Sequence, residues 1–243
     1  MEISVRQKVV TCITGFWCVI LVVLVLGHNV NADEKYSNIA NKPPETKLDS
    51  SVNDANDPNE LWWRRYDTVV KDPNNANELL EAKWNAVVTV LQNKDLNQKR
   101  KEKIIDKIIS PIFDTELMAK LALGRTNWPK LTVPQQKRFT KLFSERLKSF
   151  YQEKTTFYTD EKVLFKPAKQ EKNNIIIPMV LISDNTEDEI LYKLHKMDKS
   201  WKIYDVEIQG VSILQTYRAQ FDDILRRGTV KDLLSELEKP PAQ

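Results

Sequence analysis

Residues 174 to 182 read Asn174-Ile175-Ile176-Ile177-Pro178-Met179-Val180-Leu181-Ile182, and two further runs follow closely: Glu189-Ile190-Leu191-Tyr192-Lys193-Leu194-His195-Lys196-Met197 and Trp201-Lys202-Ile203-Tyr204-Asp205-Val206-Glu207-Ile208-Gln209. The second alternates Ile190, Tyr192 and Leu194 with polar residues, and the third is rich in β-branched and aromatic side chains; both are strand signals. A shorter run, Val163-Leu164-Phe165, precedes Pro167. The links at 169 to 173, 183 to 188 and 198 to 200 are short and polar, as antiparallel hairpins require. Together they predict a four-stranded antiparallel meander. Pro178 cannot donate to a ladder, so its strand is expected at an edge or with a bulge. That strand is apolar on both alternating faces and must meet nonpolar material on two sides. Either an apolar container on one side or burial between two core layers would satisfy it.

Upstream, the apolar period changes to that of a helix. Leu80, Trp84, Val87, Val88 and Leu91 share one face, and Ile104, Ile105, Ile108, Ile109 and Ile112 share another, which predicts two helices separated near residues 93 to 97. A short third helix is signalled by Asp114 as N-cap, with Leu117, Met118 and Leu121 following, and it stops at Gly124. A long fourth begins after Thr132 with Pro134 in its first turn, and carries Phe139, Leu142, Phe143, Leu147, Phe150 and Tyr151. This aromatic stripe is wide enough for a cavity wall, although stripes of this kind are usually plain core. Downstream of the strands, Leu214, Tyr217, Phe221, Ile224 and Leu225 lead to Gly228, and Val230, Leu233, Leu234 and Leu237 follow. Helices, a meander and helices again make an α+β domain over residues 60–239.

The first 32 residues have the layout of a secretory signal peptide: Arg6 and Lys8, an apolar run from residue 9 to 26, and the small-residue end Val30-Asn31-Ala32. The apolar run just reaches spanning length, so an uncleaved anchor stays open beside cleavage. Either way the remainder is expected to be exported. Residues 33–59 are polar, broken by Pro43, Pro44 and Pro58, and read as a flexible tether. Leu61-Trp62-Trp63-Arg64-Arg65-Tyr66 reads as a helix start packed on the core, or as a membrane-interface or partner patch.

Composition excludes several classes of function. Of five glycines among 243 residues, Gly15 and Gly27 lie in the leader, leaving Gly124, Gly210 and Gly228 isolated. Neither a Walker A loop nor a G-x-G-x-x-G turn can be built from them. Cys12 and Cys18 are both in the leader, and only His195 lies outside it with His28 inside, so the exported part offers no thiol chemistry and no Cys/His zinc site. A net charge of +3 in the whole chain gives no bulk attraction to nucleic acid, and no nucleic-acid partner is expected. Lys94, Lys99, Arg100, Lys101, Lys103 and Lys107 do cluster, mixed with Asp95, Glu102 and Asp106. They read as a solvated helix face or as a docking surface for an acidic partner or anionic headgroups. Asp205 asks for a reason, because aspartate is disfavoured in strands. With Tyr204 or Tyr192 as a phenol donor it could serve an enzyme acting on an apolar substrate. His195, between Lys193 and Lys196, reads instead as part of a solvated hairpin.

Several separated motifs resemble one family. Trp201-Lys202-Ile203-Tyr204-Asp205-Val206, Gly210-Val211-Ser212, Tyr217-Arg218-x-Gln220-Phe221 and Leu225-Arg226-x-Gly228 are similar to the C-terminal signature of the MlaC/toluene-tolerance family. Phe113-Asp114-x-x-x-Met118-Ala119, Leu123-Gly124, Leu131-Thr132-x-x-Gln135 and Phe139 agree upstream, in the same order. Gln209 departs from the acidic residue usual before the glycine. The resemblance implies a nuclear-transport-factor-like cone, with the four-stranded sheet curved and wrapped by helices around an apolar lipid cavity. It implies a noncatalytic periplasmic carrier in Gram-negative bacteria, with no cofactor and with phospholipid as cargo. Its expected partners are an inner-membrane ABC transporter bearing an MCE-domain subunit and an outer-membrane lipoprotein-porin complex, and its expected effect is to maintain outer-membrane lipid asymmetry. A carrier of hopanoid or another hydrophobic ligand, and a cone-fold enzyme, are the alternatives. The cavity is expected to be lined by Leu117, Leu121, Phe139, Phe143, Leu147, Tyr151, Val163, Phe165, Ile177, Met179, Leu181, Tyr192, Tyr204 and Val206, with Arg125 and Arg218 meeting a headgroup or a partner.

Overall fold

The computed structural model describes residues 72, 74–155, 162–183, 186–198 and 200–240. The leader, the tether and the Trp62-Trp63 segment lie outside the described residues, as does the side chain of Tyr151. The N-terminal helices are α1 (Ala76–Gln92) and α2 (Gln98–Ile109). Each is started by an asparagine: the Asn75 side chain accepts from the amides of Asn77 and Glu78, and Asn97 accepts from that of Arg100. The isoleucine stripe of α2 and Ala86, Val87 and Val90 of α1 close a small core between the two helices.

A 3₁₀ turn (Ser110–Ile112) leads into α3 (Thr115–Asn127), capped by Asp114 on the amide of Leu117. Helical geometry breaks at Gly124, with φ 78 and ψ 165, a region open essentially to glycine alone. The break has a packing consequence: the Arg218 guanidinium lies over Gly124, and a Cβ there would meet Arg218 Nε at 3.1 Å. Helix α4 (Val133–Thr155) starts with a reciprocal cap in which the Thr132 amide donates to Gln135 Oε1 at 2.8 Å and the Gln135 amide points back at Thr132 Oγ1 at 3.4 Å. After the sheet come α5 (Ile213–Arg227) and α6 (Val230–Glu238), the latter with a Thr229/Asp232 capping box.

Among the described residues the sheet has six strands: β1 (Lys162–Phe165), β2 (Lys169–Glu171), β3 (Asn174–Ser183), β4 (Thr186–Met197), β5 (Ser200–Ile208) and β6 (Val211–Ser212). All pairings between them are antiparallel, in the order β1-β3-β4-β5-β6 with β2 also on β3. This corrects the expected count of four: β2 occupies part of the expected link at 169–173, and β6 extends the β5 edge. It also corrects the expectation for Pro178. β3 is interior and pairs with β4 along its whole length, but its outer neighbour changes from β1, opposite residues 179 to 182, to β2, opposite 174 to 176. Pro178 sits in that gap. Its carbonyl accepts from the Lys166 amide at 2.8 Å, and the donor it lacks would have pointed toward the same discontinuity.

The helices make their own core. Phe139 and Phe143 stack with centroids 5.9 Å apart, and Phe221 meets both edge-on at 5.4 and 5.7 Å. Around them lie Met118, Ala122, Leu123, Leu131, Leu233 and Leu234 from α3, the loop to α4, and α6. Full burial of each phenylalanine contributes about 2 kcal/mol. The aromatic stripe of α4 is therefore the interior of a helix-helix unit.

Candidate functional site

Register and the two-residue period of a strand fix which side chains share a face of the sheet. Val163 pairs with Leu181, Phe165 with Met179, and Ile177 with Tyr192, which in turn pairs with Val206. All seven are expected in the cavity from sequence, and the structure brings them to one face, with Ile175, Ile190, Leu194, Ile203 and Ile208. The start of α1 covers one end of this face: Ala76, Leu79 and Leu80 pack on Ile177, Leu194, Trp201 and Ile203. The Trp201 indole Nε1 donates to the Asn74 carbonyl at 2.6 Å, fastening the helix start to β5. Toward the other end Val163, Phe165, Leu181, Ile190, Tyr192 and Ile208 are only half-buried, and Val163 and Leu181 belong to none of the buried clusters. An apolar strip on the sheet thus runs from a covered end to an open one.

Apart from Tyr151, whose side chain lies outside the described residues, the remaining expected wall residues are not on this face. Phe139 and Phe143 are fully buried in the helical core, and Leu147 packs against it. Leu117 is half-buried, and Leu121 is 39% exposed on the outside of α3. Tyr204 is displaced by a bulge. Ile203 pairs with Leu194 but Asp205 pairs with Lys193, so Tyr204 is the extra residue, and its ring stands edge-on to His195 at 5.9 Å, away from Tyr192. A groove of about 570 Å³ beside Thr115, Trp128, Val133, Gln136 and Thr140 belongs to the helical side of the molecule, not to the sheet face.

Tyr192 is the polar group within the apolar strip. Burial pushes its phenol up to about 12, so the hydroxyl keeps its proton at any physiological pH. Among the described residues that hydroxyl makes no hydrogen bond, and burial alone accounts for its raised pKa. The one sealed side-chain oxygen or nitrogen without a partner among the described residues is Asn77 Oδ1, so the Tyr192 oxygen opens onto accessible space.

The opposite face carries Lys193, Asp205 and Glu207 beside the apolar Ile176, Val180 and Leu191, and Asp205 finds its reason there. Its carboxylate, 8% exposed, accepts from Ser212 Oγ at 3.0 and 2.9 Å, from the Leu214 amide at 3.3 Å, and from Lys193 Nζ at 3.1 Å. Lys193 also pairs with Glu207 at 2.8 Å. Burial acts to lower the Lys193 ammonium, but the hydrogen bonds it donates to Glu207 and Asp205 outweigh that and hold its pKa above the usual lysine range. An anion at the first turn of α5 is favoured by the helix dipole. Asp205 and Tyr192 lie on opposite faces, so the acid-base pair that the sequence suggests is not assembled. Tyr204, its neighbour, is turned to His195. That histidine is also not part of a solvated hairpin: its Nε2 is 2.9 Å from Asp114 Oδ2, joining β4 to the start of α3. Among the described residues no three His, Cys, Asp or Glu side chains converge to hold a metal ion.

Of the two arginines, Arg125 is exposed and Arg218 lies over Gly124, its Nε 4.0 Å from Asp222. The basic cluster on and before α2 is partly engaged: Lys101 Nζ donates to the Leu91 carbonyl at 2.6 Å, and Lys94, Lys99, Lys103 and Lys107 are exposed. Sequence reasoning misses Lys193, Ser212 and the Asp114–His195 tie. Only the oddity of an aspartate in a strand signals the first two.

The fold is shared with known proteins. The solved structure of a phospholipid-binding protein from Ralstonia solanacearum, in complex with a phospholipid, matches with a TM-score of 0.61 at 24% identity, covering 68% of this chain and 95% of that one. The toluene tolerance protein ttg2D of Pseudomonas putida is 25% identical over 125 residues, which span 51% of this chain and 58% of the relative. The intermembrane phospholipid transport system binding protein MlaC of Haemophilus influenzae is 26% identical over 146 residues, or 58% of this chain and 68% of the relative. The family model described as MlaC protein matches residues 81–239, from within α1 to just beyond α6, and the chain belongs to the MlaC family.

Proposed function

We propose that this protein is an exported, noncatalytic phospholipid carrier of the periplasm, loading acyl chains against the apolar face of β1, β3, β4 and β5. The observation that carries the reading is that apolar strip, continuous across four strands and half-buried toward its open end, whereas the opposite face mixes Ile176, Val180 and Leu191 with the Lys193, Asp205 and Glu207 charges. Each buried methylene contributes roughly 0.8 kcal/mol, so one acyl chain of about 16 carbons is worth on the order of 12 kcal/mol. A carrier has to offer shelter of that size to a lipid leaving a bilayer, and the phosphate is the smaller contribution. The names of the relatives support phospholipid as the cargo. The finer reading is transfer between an outer-membrane lipoprotein-porin complex and an inner-membrane ABC transporter with an MCE-domain subunit, with Arg125, Arg218 and the exposed lysines of α2 as the surfaces that meet headgroup or partner.

The test is organic extraction of the protein purified from the exporting compartment, followed by mass spectrometry. Phospholipid near one molecule per chain is the expected result. A hopanoid or other terpenoid would replace phospholipid as the cargo, and an empty protein that also refuses lipid from vesicles would overturn the carrier reading.

A further inference from the structure

The Tyr192 hydroxyl is an isolated donor in a hydrocarbon setting. Its cross-strand neighbours are Ile177 on β3 and Val206 on β5, and the residues two before and two after it on β4 are Ile190 and Leu194. The other polar groups on this face of β4 lie toward the strand's ends. Asp188 is held by the Gln209 side chain at 2.7 Å, and Lys196 lies over the Trp201 ring at 6.0 Å. The hydroxyl opens from apolar surroundings onto accessible space with no protein partner, so a ligand lying on the strip is what can offer it an acceptor in place of water. The phenol stays protonated, so what it offers a ligand is a donor, and an acceptor oxygen is what it lacks.

We infer that Tyr192 donates a hydrogen bond to the ester carbonyl at the junction of acyl chain and glycerol, and so makes the site selective for ester-linked lipids. The inference rests on the carrier reading and deepens it. An acyl chain lying along Ile177, Ile190 and Val206 puts its own first polar atom beside the hydroxyl, and that atom is the carbonyl. A saturated terpenoid skeleton or an ether-linked chain has no carbonyl to offer there.

The test loads the full exported chain from vesicles of equimolar diacyl and dialkyl phosphatidylethanolamine with matched chain lengths, and reads the ratio of the two bound lipids by mass spectrometry. The native protein should take the diacyl form in about tenfold excess, the weight of one hydrogen bond. In Tyr192→Phe the diacyl-to-dialkyl ratio should fall to near one. A native ratio of one overturns the inference while leaving the carrier reading intact, as does a Tyr192→Phe protein that keeps the preference. Loss of both lipids equally in Tyr192→Phe assigns the hydroxyl to the phosphate and also overturns it. A native protein that takes up neither lipid overturns the carrier reading itself, and the inference with it. The native ratio decides alone if the variant does not fold.

Discussion

The Ser212 hydroxyl sits 3.0 and 2.9 Å from the two carboxylate oxygens of Asp205, and the same hydroxyl accepts from the Gln215 amide at 3.1 Å. The second half of β5 and the first turn of α5 are thereby joined through one buried anion. Lys193 on the neighbouring strand balances its charge.

Asp205→Ala should be more damaging than a change at any exposed position of the sheet. It leaves Ser212 and the Leu214 amide without their acceptor and Lys193 with Glu207 alone, and removing one member of a buried pair costs about 3 kcal/mol. Asp205→Asn should cost less, because it still accepts from Ser212 and Leu214. Urea midpoints of the two variants and the native chain check this order. Equal midpoints for Asp205→Ala and the native chain would mean that the joint bears no load.

Gln209 shows how a departure from the family pattern is absorbed. It stands at φ 51 in the β5–β6 turn, and its Nε2 donates to Asp188 Oδ1 at 2.7 Å and to the Glu187 carbonyl at 3.2 Å. Gln209→Glu would face Asp188 with a second carboxylate. It should lower stability by about 1 kcal/mol at neutral pH, and the loss should shrink as the medium is acidified, because like charges raise the folded-state carboxyl pKa. Thermal melts at pH 7 and pH 4 read the difference; a loss that does not change with pH would exclude repulsion as its cause.

What could be read from the sequence, and what could not, follows from where the signal resides. The run from Ile175 to Ile182 announces a buried strand but not which of its faces bears the strip, and it is the alternation of Ile190, Tyr192 and Leu194 in the neighbouring strand that carries the two-residue period. β2 does not, because Lys169, Gln170 and Glu171 are all exposed and have no face to alternate. Tyr204 reads as a strip residue because it stands two residues before Val206, and only pairing with β4 shows the extra residue at the bulge. For Phe139 and Phe143 the period locates the buried stripe of α4 correctly, but a helical stripe carries no information about what lies opposite. The opposing surface is α3, α5 and α6, not the sheet.

Alkaline titration should single out Tyr192. Its folded-state pKa is raised to about 12 by burial, against the ordinary value of 10.0. A raised pKa contributes stability that is whole below the unfolded value and is lost as pH climbs through the folded one. The native protein should therefore weaken between about pH 10 and 12, the raised Lys193 adding to the same trend. Tyr192→Phe should show a shallower decline over that window and no difference in slope near pH 8. Parallel curves for the two proteins would place the phenol in water.

A pair of substitutions on adjacent residues of β4 separates the two faces of the sheet. Ile190 and Leu191 are both half-buried, but Ile190 lies on the strip with Met179 and Ile208, whereas Leu191 pairs with Pro178 and Glu207 on the other side. Ile190→Trp adds bulk where an acyl chain would lie and should lower lipid occupancy severalfold while the fold persists. Leu191→Trp adds the same bulk to the opposite face and should leave occupancy at the native level. Circular dichroism confirms that each variant is folded before lipid is extracted and counted. Equal occupancy in the two variants would detach the strip from ligand binding, since they differ only in the side of the sheet on which the indole stands.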